Sequence, residues 1–190
     1  MLWMFSDFLI EVLNRAAGGG DDGSIPITYL YDHGSNMTSD GIETKEWEVV
    51  QDYAAKIANA VCADEDHSAE EQTQALLTYL DCLETKYGKL PSILATRADY
   101  VIEAEKRVLL LDEAYSIAKL RTDTANMRLI AASLAQHFIE EAGDARQGQL
   151  WLACFADAIG NKWDDVEYAD FRALSQRLEQ LGKKGRNSIG

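Results

Sequence analysis

The chain has 190 residues, 47% of them apolar, with 32 acidic residues against 18 basic ones and a net charge of −14. That length and composition suffice for one domain with a buried core and a short extra segment at an end. The acidic balance argues against binding a phosphate backbone, which needs a basic face to release counterions, so nucleic acid is not an expected partner.

Residues 1–16 are predicted to form an amphipathic helix, with Leu2, Phe5, Phe8, Leu9, Val12 and Leu13 on one stripe opposite Asp7, Glu11 and Asn14. The stretch is too short to span a bilayer and lacks the basic start of a signal peptide. A stripe this apolar needs a cover. It could pack on its own domain, sit in a binding groove as an internal ligand, or reach into a neighbouring molecule and build a dimer. Asp7, Glu11 and the lack of lysine on the polar face weigh against a membrane anchor. A peptide joined from outside the native chain would read the same way.

Residues 17–43 are predicted as linker and loop, beginning with Gly18-Gly19-Gly20-Asp21-Asp22-Gly23-Ser24, a tract with no bulky side chains to pack. Ile25 to Tyr31 could form a short extended piece, and His33 to Gly41 is expected to be loop. Asn36-Met37-Thr38 has the form of a glycosylation acceptor, which without a secretory signal is most simply chance.

A helical domain is predicted over residues 44–182. Its first helix puts Trp47, Val50, Ala54, Ile57, Ala58 and Val61 on one face. Ser68 and Glu71 have capping-box spacing for a second helix, which carries Leu76, Tyr79, Leu80 and Leu83 and stops at Gly88. Pro91 fits the first turn of a third helix, expected to reach about Ala104, because a first-turn amide has no intrahelical partner. A fourth carries Val108, Leu111, Ala114, Tyr115 and Ala118. Asp123 or Thr124 can cap a fifth with Met127, Ile130, Leu134 and Phe138. Gly143-Asp144 breaks the chain before a sixth. A seventh, with Val166, Phe171, Leu174, Leu178 and Leu181 on one face, suits a terminal cap, and residues 183–190 are expected to fray.

Three stretches repeat their apolar residues at an offset of 40: Trp47, Val50, Ala54, Ala55, Ala58 and Val61; Tyr87, Leu90, Leu94, Ala95, Ala98 and Val101; Met127, Ile130, Leu134, Ala135 and Phe138. The sixth helix repeats the fourth at the same offset, Leu111 with Trp151, Ala114 with Cys154, Tyr115 with Phe155, Ala118 with Ala158. The expected fold is all-α: antiparallel helix pairs stacked as a short α-solenoid with a C-terminal capping helix.

Leu134-Ala135 followed by Phe138, and Leu94-Ala95 followed by Ala98, resemble the first helix of the tetratricopeptide repeat, in which a small residue after a large one lets helices approach closely. Gly143-Asp144 resembles that family's turn between paired helices. The resemblance covers roughly residues 44 to 160, although the 40-residue period exceeds that family's usual length of about 34. It implies a concave groove lined by the first helices. Its contact positions fall on Asp52, Lys56 and Asn59, then Ser92, Thr96 and Asp99, then Ala132, Gln136 and Ile139. With Lys56 as its one basic residue, such a groove lacks the clamp some members use for a terminal carboxylate, and it favours hydrogen bonding to an extended or helical peptide.

Reactive chemistry is not expected. His137 and Glu141, with Glu140 beside them, have helical i, i+4 spacing but fall short of three ligands in defined geometry. Asp64-Glu65-Asp66-His67 lacks the alternating spacing and glycine of a calcium loop. No phosphate loop or nucleophile elbow is present. Cys62, Cys82 and Cys154 read as small core residues in a reducing compartment. The expectation is thus a cytoplasmic protein- or peptide-binding adaptor or chaperone-like module without cofactor or metal. The alternatives are a self-associating scaffold that uses the N-terminal helix, or, further off, an all-helical enzyme or metal protein.

Overall fold

The computed structural model describes residues 36–161 and 163–187. The predicted N-terminal helix, with Leu2, Phe5, Phe8, Leu9 and Val12, and the predicted extended piece at 25–31 lie outside the described residues. Among the described residues seven α-helices follow in order: α1 (Thr44–Cys62), α2 (Asp66–Tyr87), α3 (Pro91–Asp99), α4 (Ala104–Arg121), α5 (Thr124–Gln136), α6 (Ala145–Ile159) and α7 (Asp165–Asn187). A π-helical turn spans His137–Glu141. Extended pairing among the described residues is limited to an isolated bridge between Met37 and Glu43. The fold is all-α, and short connections make consecutive packed helices antiparallel neighbours, α1 on α2 and α5 on α6. No described helix is long and apolar enough to cross a membrane. The chain divides into two compact units, Met1–Leu110 and Leu111–Gly190.

In the first unit, Ile42, Trp47, Val50, Ile57, Leu76, Leu80, Leu83, Leu90 and Ile93 form one core cluster. The connection from α1 to α2 is tighter than expected. Asp64 takes φ +56°, and the Glu65 amide donates to the Ala60 carbonyl at 2.9 Å. This reversal starts α2 at Asp66, with Glu65 as a cap that makes no side-chain bond. Ser68 therefore lies inside the helix, and the predicted Ser68–Glu71 capping box is not used. Gly88, at φ +80°, closes α2, and Pro91 opens α3 as predicted. That helix stops at Asp99, five residues short of the expected Ala104. The amides of Tyr100 and Val101 donate to the carbonyls of Arg97 and Ala98 at 3.2 Å each, a tighter i to i−3 closure that ends the α-helical ladder.

The predicted loop at 33–41 is a structured strap where it is described. Thr38 N donates to the Ile42 carbonyl at 2.8 Å and Thr44 N to the Asn36 carbonyl at 2.9 Å, which drives Ile42 fully into the core. Gly41, at φ +101°, permits the reversal. The Thr38 hydroxyl donates to Asp40 Oδ1 at 2.8 Å and accepts from Ile42 N at 2.8 Å. Asp40 Oδ2 then accepts from Ser92 N at 2.9 Å. Leu90, the N-cap of α3, has no side chain able to cap. A buried aspartate 52 residues away does that job.

In the second unit, Asp123 caps α5 by accepting from Asn126 N at 3.2 Å. Its other oxygen accepts from the buried Asn126 side chain at 2.7 Å. Asp144 caps α6 through Arg146 N and Gln147 N, at 3.0 Å each. Gly148 of α6 faces the π-helical turn so closely that a Cβ there would lie 2.5 Å from Ile139 Cγ1. Glycine is what permits this approach. Helix α7 packs on α6 and the π-helical turn, burying Leu174 and half-burying Val166, Phe171, Leu178 and Leu181, as the terminal-cap pattern predicts. Its start is held by Glu167, whose carboxylate pairs with Arg128 of α5 at 2.8 Å. It continues to Asn187, past residue 182.

The 40-residue spacing tracks burial better than helix length. Val50, Leu90 and Ile130 are all buried, as are Leu111 and Trp151. Yet α3 has nine residues against nineteen in α1, and Tyr87 ends α2 where its counterparts Trp47 and Met127 stand near helix starts. The cysteines depart from expectation. Cys62 and Cys82 are exposed and Cys154 is half-buried, because Cys62 ends α1 and Cys82 is on the outer side of α2 beside the inward Leu83.

Candidate functional site

The predicted groove residues fall into three different environments. Asp52, Lys56 and Asn59 stand at i, i+4 and i+7 on α1, and all three are exposed. Lys56 Nζ pairs with Asp52 at 2.6 Å, and that hydrogen bond holds the ammonium above its ordinary pKa. The row on α3 sinks instead of staying at the surface: Ser92 is buried, Thr96 half-buried and Asp99 exposed. Ser92 belongs to the anchored helix start, with its amide tied to Asp40. In the second unit, Ala132 and Gln136 are half-buried and Ile139 is buried under Gly148. Gln136 donates to Glu140 at 3.1 Å. Only the α1 row is an open surface along its whole length.

That row has an aromatic flank which the family-based positions miss. Lys56 lies over the Tyr53 ring, 5.6 Å from its centroid, and Tyr53 stands 6.2 Å from Tyr79 of α2. Both tyrosines are half-buried against the core. Burial, then the nearby charge of Glu46, raises the Tyr79 phenol above its usual range. Beyond Tyr79, Glu46 accepts from the Tyr87 hydroxyl and from Lys86 at 2.9 Å. These two hydrogen bonds, Tyr87 first, hold its carboxyl below the ordinary range. The Lys86 ammonium is raised in turn by its hydrogen bonds with Glu46 first and then Tyr87. The paired helices thus present fixed tyrosine faces between two ion-paired lysines. Rigid aromatic area with adaptable polar neighbours is the composition of protein interfaces. The sequence signal was available: Tyr53 adjoins Asp52 in the chain, and Tyr79 interrupts an otherwise leucine stripe.

Asp99 closes the α3 row. It is exposed as a residue, while desolvation raises its carboxyl and the charge of Arg107 opposes the rise.

The His137, Glu140 and Glu141 trio does not converge. His137 is buried and its Nδ1 meets Glu141 Oε2 at 2.9 Å, whereas Glu140 turns to Arg177 of α7. The π-helical turn causes the divergence, because its wider winding redirects successive side chains. Among the described residues no three His, Cys, Asp or Glu side chains are grouped to hold a metal ion. No protein-family model, curated protein or solved structure matches this chain.

Proposed function

We propose that the chain is a protein- or peptide-binding helical module of tetratricopeptide-like type, acting without cofactor in the cytoplasm, and that it binds through the α1–α2 surface of its first unit. The carrying observation is the exposed Asp52, Lys56 and Asn59 row beside the Tyr53–Tyr79 pair. The tyrosines are already ordered by packing against the core, so a bound segment gains contact area with little loss of side-chain freedom. Lys56 and Asp52 neutralise each other in the free protein and can each be redirected to a polar group of a ligand.

The reading is tested with a peptide selected on the full chain from a random displayed library. Its affinity for Tyr53→Ala and Lys56→Ala variants should fall at least about tenfold for the tyrosine, a loss of about 1.4 kcal/mol. The lysine change should have a smaller effect. Unchanged binding by both variants would reject this surface.

A further inference from the structure

Among the described residues of the first unit, the most exposed large apolar side chains are Ile102, at 86%, and Leu109, at 69%. They flank the start of α4. Arg107 N donates to the Glu103 carbonyl at 3.0 Å, which makes Glu103 the N-cap and Ile102 the residue just before it. An apolar residue in that place commonly folds back as a staple on the first turns of its own helix. Ile102 does not. Lys106, between the two, is held aside by Glu103 at 2.9 Å, so the aliphatic surface stays open.

The same chain carries an apolar segment in want of a surface. Residues 2–13 bear Leu2, Phe5, Phe8, Leu9 and Val12 at helical spacing, and the strap through which they connect is fixed on this unit. Asp40 binds the start of α3. Ile102 lies just past the other end of that nine-residue helix, which is about 14 Å long. The 22 residues from 14 to 35 can span up to about 70 Å, so the tether covers the path with length to spare. Tethering also gives this segment a local concentration that a free peptide lacks.

We infer that residues 2–13 dock in cis on the Ile102–Leu109 surface at the start of α4. The contact is independent of the α1–α2 binding surface, and it makes this face an internal receptor instead of a site for an outside partner.

Hydrogen exchange on the full-length chain, read by mass spectrometry, tests the inference. Amides of residues 1–13 should exchange at least tenfold more slowly in the parent protein than in Ile102→Ser/Leu109→Ser. The reciprocal variant, Phe5→Asp/Phe8→Asp, should speed exchange in 104–110 and leave 44–62 and 76–87 of the same unit unchanged, which establishes that its fold is intact. Protection of 1–13 that survives the Ile102 and Leu109 changes would overturn the assignment, as would absence of protection in the parent. Protection that disappears on dilution together with a dimer would overturn docking in cis and make a second copy the occupant. Protection that appears only with added lipid vesicles would likewise overturn it in favour of a membrane surface.

Discussion

Asp40 is the residue whose replacement most sharply probes how the first unit is held. Its carboxylate is 8% exposed, and it accepts from Ser92 N at 2.9 Å and from the Thr38 hydroxyl at 2.8 Å. Asp40→Ala leaves both donors without this acceptor. Loss of a helix cap costs about 0.5–2 kcal/mol, and a buried donor stripped of its partner costs about 1–3 kcal/mol. The Ser92 amide is counted in both, so the two do not add in full and the expected loss is about 1–3 kcal/mol in all. Asp40→Asn keeps an acceptor for Ser92 N and should lose about 1 kcal/mol, the difference between a charged and a neutral hydrogen bond. Urea unfolding followed by circular dichroism measures both, and the alanine variant should also speed amide exchange in α3. An Asp40→Ala protein within about 0.5 kcal/mol of the parent, within the range of ordinary surface changes, would refute the reasoning that this aspartate caps α3.

Three further outcomes are expected. Gly148→Ala forces a methyl against Ile139 and should cost about 1–3 kcal/mol by overpacking; adding Ile139→Ala should recover part of that loss, so denaturation of the double variant should give less than the sum of the singles. Ser92→Ala removes a buried hydroxyl that has no hydrogen-bond partner among the described residues, and should leave stability unchanged or raise it by up to about 1 kcal/mol in thermal melts. Glu46→Gln should destabilise the protein at neutral pH. Because the folded carboxyl titrates below its unfolded value, the stabilisation it supplies is present above the unfolded pKa, near 4.3, and is lost as pH falls through the folded one. The gap between Glu46→Gln and the parent should therefore narrow as pH falls through the unfolded and then the folded pKa; a gap that does not change with pH would remove the ion cluster as its cause.

The helices were legible because their signals are local. Gly88, Pro91, Asp123 and Gly143-Asp144 act within a turn of the backbone they control, and each marks a boundary in the structure. Three features depended on contacts distant in sequence or on backbone winding. Asp40 looked like an ordinary loop residue because the helix it caps begins 51 residues later. The π-helical turn has no side-chain signature in His137–Glu141, and it emerges where α5 meets the close approach of Gly148. Groove positions carried over from a 34-residue repeat assume equal helices, and α3 is half the length of α1. Ser92 is buried where its counterpart Asp52 is exposed, and Thr96 is half-buried where its counterpart Lys56 is exposed.

The most direct test of binding at the α1–α2 surface is an amide chemical-shift map of the full chain titrated with a library-selected peptide. Perturbations concentrated at residues 49–60 of α1 and 75–83 of α2 would agree with a binding surface built on Tyr53, Lys56 and Tyr79. Perturbations concentrated on α5 and α6, with α1 and α2 unchanged, would contradict it.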